Sequence, residues 1–147
     1  MGDSPAGDDV ARAAVTVPAT PPEVWRLLVD RSSWWPELEF DPRAGAPLRE
    51  TWTEGGRTLE ATGQVLAVDA PSHLSFEWTE PGWDDVLTVS VSVSPAPEGS
   101  TVTVTERGFR RLGTPDALRL EHEAGWGEHL ARLRDACAET SPPGPDR

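Results

Sequence analysis

The chain contains no lysine and no tyrosine, has one cysteine (Cys137), and holds no apolar run near the ~20 residues of a membrane span. Each absence excludes something. A single cysteine permits no disulfide within the chain and no cysteine-built metal site. Positive charge is scarce too: 13 basic residues, all arginine, face 25 acidic ones, for a net charge of −12. Nucleic-acid binders need a basic footprint to displace counterions from phosphates, and the longest arginine run here is the pair Arg110–Arg111. The same sign disfavours anionic membrane surfaces, so neither nucleic acid nor membrane is an expected partner. There is no phosphate-cradling glycine loop and no Gly-x-Ser-x-Gly elbow, and no cofactor is expected. Met1 to Asp9 is acidic without an apolar centre, which is unlike a secretory signal, so a cytoplasmic protein is expected. Missing lysine and tyrosine beside abundant Ala, Gly, Pro and Arg fits codon bias in a GC-rich genome, which makes the arginines largely background.

What is present is tryptophan: seven, against three phenylalanines. A length of 147 residues suits one domain with one core. The polar ends, 1–9 (MGDSPAGDD) and 140–147 (TSPPGPDR), read as disordered tails around a single domain at 10–139.

Within that domain, Ala11 to Val17 reads as a strand with Ala13, Val15 and Val17 on one face. Thr20, Pro21 and Glu23 then form a capping box with proline in the first turn, opening a helix to about Asp30 that buries Val24, Leu27 and Leu28. Ser32 to Glu37 reads as a second short helical turn stopped near Pro36. From Leu48 the period changes to two: Leu48–Glu54, Arg57–Val68, His73–Thr79, Asp85–Ser94 and Thr101–Glu106 are strands, with Gly55–Gly56 a tight hairpin. Thr114–Pro115–Asp116 starts a final helix, on which Leu118, His122, Trp126, His129, Leu130, Leu133 and Cys137 share one sector. Gly125 and Gly127 each cost about 1 kcal/mol in a helix interior, so they suggest a kink or a close backbone approach.

The segments VTVPATPPEVWRLLVD (15–30), WWPELEFDPRAGAPLR (34–49), GQVLAVDAPSHLSFEW (63–78), TVTVTERGF (101–109) and GWGEHLARL (125–133) occur in an order and spacing that resembles a known superfamily. It is the helix-grip (START/birch-pollen-allergen) superfamily, in the branch named after the activator of the heat-shock-protein-90 ATPase. The resemblance implies an α+β fold: a curved antiparallel sheet of about six to seven strands wrapped around a long C-terminal helix, with two short helices after strand 1. It also implies a hydrophobic cavity between sheet and last helix, and it carries over no catalytic residue. Superfamily members include lipid and hormone carriers, aromatic polyketide cyclases, co-chaperone modules and proteins that sequester toxic natural products, so fold alone leaves function open.

The expected cavity lining is Trp35, Phe40, Trp52, Phe76, Trp78, Phe109, His122, Trp126 and Leu130, an aromatic set suited to a small apolar or aromatic molecule. The same positions would equally serve as an ordinary core. Trp83, in the polar loop EPGWDD, is expected to be exposed, as a lid or contact surface. Candidates for proton chemistry are His122, His129 and Glu106; the bland alternatives are histidines at a cavity rim, and a strand-end carboxylate paired with Arg107, Arg110 or Arg49. His122 and His129 stand seven residues apart, ~10.5 Å of rise, too far to grip one metal ion, and no metal is expected. Cys137 reads as a small core residue. The leading expectation is a small-molecule binding module. The alternatives are a metal-free cyclase/aromatase-like enzyme using the same cavity, a co-chaperone-like module whose acidic surface suits a basic protein partner, and natural-product self-resistance by sequestration.

Overall fold

Alternation of apolar and polar side chains is clearest on two interior strands of the sheet that carry the core. The computed structural model describes residues 9–112 and 116–140. In chain order the elements are β1 (Val10–Val17), α1 (Pro21–Val29), β2 (Leu38–Phe40), β3 (Pro47–Glu54), β4 (Arg57–Asp69), β5 (His73–Thr79), β6 (Leu87–Ala96), β7 (Gly99–Arg107), α2 (Phe109–Leu112) and α3 (Asp116–Thr140). The seven strands form one antiparallel sheet in the order β1-β7-β6-β5-β4-β3-β2. On β6 Leu87, Val89, Val91 and Val93 are buried, as are Val102, Val104 and Glu106 on β7, so one face carries the core and the other is wet.

Two glycine features shape the sheet. Gly55 and Gly56, with φ of 59° and 78°, close the β3–β4 hairpin in a turn that L side chains resist. Gly63 on β4 lies so close to β5 that a Cβ there would sit 1.8 Å from the Glu77 carbonyl oxygen. The register then slips between Val65 and Ala67, a bulge that bends β4.

The capping box of α1 forms as expected: Glu23 N–H donates to Thr20 Oγ1, and Thr20 N–H donates to Glu23 Oε1 at 2.8 Å. The expected second short helix does not form. Residues 32–37 make turns, and β2 follows. The cause is Arg31, which is buried and donates to Leu28 O and Leu38 O at 2.9 Å each and to Phe40 O at 3.4 Å. Its guanidinium also lies 3.9 Å over the Phe40 ring. These bonds fold the chain back on itself, while Pro36 denies Trp35 a comfortable helical conformation.

The chain's C-terminal part supplies the second layer. Trp126, Leu130, Leu133, Ala136 and Cys137 of α3 are buried in the core, and α3 packs against β1 and α1. Burial pushes the Cys137 thiol up to about 11, in keeping with a core role. Helix α3 runs unbroken through Gly125 and Gly127, and a Cβ at either would meet nothing within 4 Å. Neither glycine marks a close approach. The proposed cap Thr114–Pro115 lies outside the described residues, as do the tails apart from Asp9 and Thr140. Asp9 belongs to the fold: its carboxylate accepts from the Arg110 N–H at 2.9 Å.

Candidate functional site

The site begins with a charge placed by alternation. Glu106 follows Val102 and Val104 on the inward face of β7 and is 0% exposed. Among the described residues no arginine pairs with it, contrary to expectation. Instead the Trp78 Nε1–H donates to Oε2 at 2.8 Å, the Trp126 Nε1–H donates to Oε1 at 2.8 Å, and His122 Nδ1 lies 2.9 Å from Oε1. Indoles can only donate, so Glu106 is an acceptor toward both, which is how a buried carboxylate is tolerated. With the carboxylate already an acceptor, His122 Nδ1 is assigned the proton. Burial opposes the charged imidazole. The hydrogen bond to Glu106 and the charges of Glu106, Glu80 and Glu121 outweigh it, and His122 titrates above its ordinary value.

Above this group lies a cleft of about 250 Å³, open to solvent, between β3–β5 and α3. Its lining comprises Glu50 and Trp52 of β3, Ala61 of β4, Trp78 of β5, Glu80 and Trp83 of the β5–β6 loop, and Glu121, His122, Gly125, Trp126 and His129 of α3. Trp78 and Trp126 stack with ring centres 5.9 Å apart. Trp83 is half-buried, 6.2 Å from the His122 ring, so it forms part of the cleft wall and is not a lone exposed loop residue. Gly125 matters because it has no side chain: the space a Cβ would enter is open.

Four of the nine expected lining residues reach this cleft: Trp52, Trp78, His122 and Trp126. Phe40, Phe76, Leu130 and Trp35 instead surround an interior space of only about 20 Å³, room for no more than about one water. They are packed core. Trp35 acts from behind the cleft, donating from Nε1 to Glu50 Oε2 at 3.0 Å and stacking on His129 with centres 3.8 Å apart. Phe109 lines neither space; its ring meets His122 edge-on at 5.4 Å.

Three carboxylates of the site escape the sequence reading. Glu50 is findable, since it alternates with Leu48 and Trp52 on β3. Burial pushes it up to about 7, the Trp35 hydrogen bond works against that rise, and Glu37 and Glu80 add to it. Glu80 is also raised, by burial first, with the His122 charge opposing and Glu54 and Glu106 adding. Glu121 sits one residue before His122. The remaining candidate, His129, is pushed down to about 4 by burial and by Arg132, and its Nδ1 has no hydrogen-bond partner. Among the described residues no group of three His, Cys, Asp or Glu could hold a metal, and no helix is long and apolar enough to cross a membrane.

A family model described as Activator of Hsp90 ATPase homolog 1-like protein matches residues 18–138. The chain belongs to that family. The sheet wrapped against α3 is the helix-grip fold of this family, and solved structures share it. A protein from Mesorhizobium loti, MLL2253, superposes with a TM-score of 0.73 at 22% identity, over 90% of this chain and 99% of its own. DynU16, from the dynemicin biosynthetic locus, gives 0.75 at 27% identity over 90% of this chain but 48% of its own, so the chain spans about half of it. CalU16 from Micromonospora echinospora gives 0.62 at 22% identity, over 84% of this chain and 71% of that one. No curated protein matches by sequence.

Proposed function

We propose that this family member is a cytoplasmic small-molecule binding protein that holds an aromatic ligand in the cleft between β3–β5 and α3. One observation carries the proposal: four tryptophans, Trp52, Trp78, Trp83 and Trp126, converge on a cleft of about 250 Å³ whose floor is anchored by Glu106. The volume lies just below the ~300–1,000 Å³ of most ligand sites, so the cleft takes a small molecule whole or one ring system of a larger one. The likeness to DynU16, a protein of a biosynthetic locus, supports a natural-product ligand.

The test is a tryptophan-fluorescence titration with a panel of aromatic, steroid-like and fatty-acyl compounds, repeated in Gly125→Leu. The leucine side chain extends into the open cleft and improves helix propensity by about 1 kcal/mol, so it blocks without unfolding. Saturable quenching by one class, lost in Gly125→Leu and kept in Gly127→Ala, is the expected result. Quenching by no class would sink the proposal.

A second reading is favoured by the Glu106–His122 pair. An imidazole held at Nδ1 by a carboxylate, with its other face in a cleft, is arranged for proton transfer to or from a bound poly-carbonyl chain, as in a cyclase. Its signature would be a turnover that rises with pH through the raised His122 value and is lost in His122→Gln. Ligand binding without turnover would leave only the first reading.

A further inference from the structure

The cleft's chemistry is one-sided. Glu50, Glu80 and Glu121 face it, no arginine lines it, and the walls between the carboxylates are tryptophan faces. Of the arginines nearby, Arg111 pairs with Asp85, and Arg132 lines not the cleft but an adjoining groove that shares Glu50, Trp52 and His129 with it. Of the two histidines in the lining, His129 is held uncharged by its burial, and Glu106 neutralises His122 at 2.9 Å. What remains is a half-enclosed negative space with π surfaces, inside a chain of net charge −12.

We propose that the cleft selects organic cations: ligands that join an aromatic ring to a protonated or quaternary amine, the ring stacking on Trp78 and Trp126 and the ammonium group lying among Glu50, Glu80 and the tryptophan faces. The inference deepens the proposed binding function and rests on it. Tryptophan is the best ring for attracting a cation, through its negative face, and desolvation inside a cleft strengthens that attraction. The carboxylates supply the countercharge, and the overall negative field raises the local concentration of cations. A neutral ligand would leave the half-buried Glu50 and Glu80 without a countercharge. An anion would be repelled by them. The groups facing Glu50 are Glu37 from the turn before β2, Glu80 from the β5–β6 loop and His122 from α3, and Glu80 in turn faces Glu54, Glu106 and His122. As pH rises, Glu50 and Glu80 gain negative charge and His122 loses its positive charge. All three changes favour a bound cation.

The experiment is a fluorescence titration of the whole chain at pH 8 with three probes of similar ring: benzyltrimethylammonium, benzyl alcohol and phenylacetate. The ammonium is expected to bind about tenfold more tightly than the alcohol, with phenylacetate weakest. The preference should shrink at pH 5.5, and also in Glu50→Gln/Glu80→Gln. The amide oxygen introduced by Glu50→Gln would still accept the Trp35 N–H. Equal binding of ammonium and alcohol overturns the inference and leaves an aromatic-binding cleft standing. A preference that survives the double substitution also overturns it. Failure of all three probes overturns the cation site, while the binding function falls only if the wider panel also gives no quenching. If the double variant does not fold, salt decides. The wild-type affinity for the ammonium should fall severalfold between about 20 and about 200 mM NaCl, and salt-independent affinity would refute the cation site.

Discussion

Trp78 on β5 and Trp126 on α3 donate to opposite oxygens of one buried carboxylate, each at 2.8 Å, so Glu106 ties sheet to helix at the floor of the cleft. The two indoles also stack, which fixes the spacing between the layers where a ligand would enter.

Replacing that carboxylate by an amide has a defined cost. In Glu106→Gln only one oxygen accepts, so one indole N–H is left facing an amide N–H₂. We expect a loss of roughly 2–4 kcal/mol in urea unfolding, as for a buried charge-assisted bond made half unsatisfied. The same variant should lower the His122 midpoint by NMR titration, because burial then acts with less opposition. An unmoved midpoint would show that Glu106 does not hold the imidazole.

Why the sequence discloses part of this site and not the rest is a matter of range. Alternation along β7 gives the inward direction of Glu106 from Val102 and Val104, and helical spacing gives the shared face of His122 and Trp126. Neither says what lies opposite. That Trp78 reaches Glu106 depends on the pairings Trp78–Leu87 and Val89–Glu106 across an intervening strand, which no local pattern encodes. The turn at 32–37 reads as helix for the same reason: Arg31 overrides local propensity by bonding carbonyls up to nine residues away. Glu50 shares the inward alternation of Leu48 and Trp52 but is easily passed over, because a carboxylate on a strand is ordinarily solvated. Gly125 reads as a kink or a close backbone approach, when it contributes empty space.

Arg31 should therefore be costly to remove. Methionine fills much of its volume but leaves the carbonyls of Leu28, Leu38 and Phe40 without their donor. Arg31→Met is expected to destabilise by about 3 kcal/mol in urea unfolding, the sum of several part-buried losses. A loss under about 0.5 kcal/mol would mean that water replaces the guanidinium at no cost.

Glu50 should make stability depend on pH. Its folded value, about 7, lies above the ordinary 4.5, so the folded chain holds the proton more tightly than the unfolded chain. That contribution is complete below about 4.5 and is lost as pH rises through about 7. Glu50→Gln stays neutral and still accepts from Trp35. Its stability should match wild type near pH 4.5 and exceed it at pH 8, by on the order of 2 kcal/mol. His122 loses stability over the same rising limb, so the wild-type curve alone is ambiguous. The difference between variant and wild type isolates Glu50, and a difference that does not change with pH would refute its raised value.

His129 has the opposite sign. Burial and Arg132 hold its folded value near 4 against an ordinary 6.5, so between those values the unfolded chain takes up a proton that the folded chain refuses. Stability is therefore drawn down as pH falls from 6.5 toward 4. The ring's role is packing: it stacks on Trp35 at 21° and leaves Nδ1 without a partner. Phenylalanine keeps the stack and removes both the proton and the unmet nitrogen. Thermal unfolding of His129→Phe should be equal to or slightly above wild type at pH 8, by up to about 1 kcal/mol. The advantage should widen to on the order of 2 kcal/mol by pH 4.5. A variant that loses stability at pH 8 would show that Nδ1 has a partner the fold needs, and a gap that fails to widen in acid would show that His129 titrates near its ordinary value.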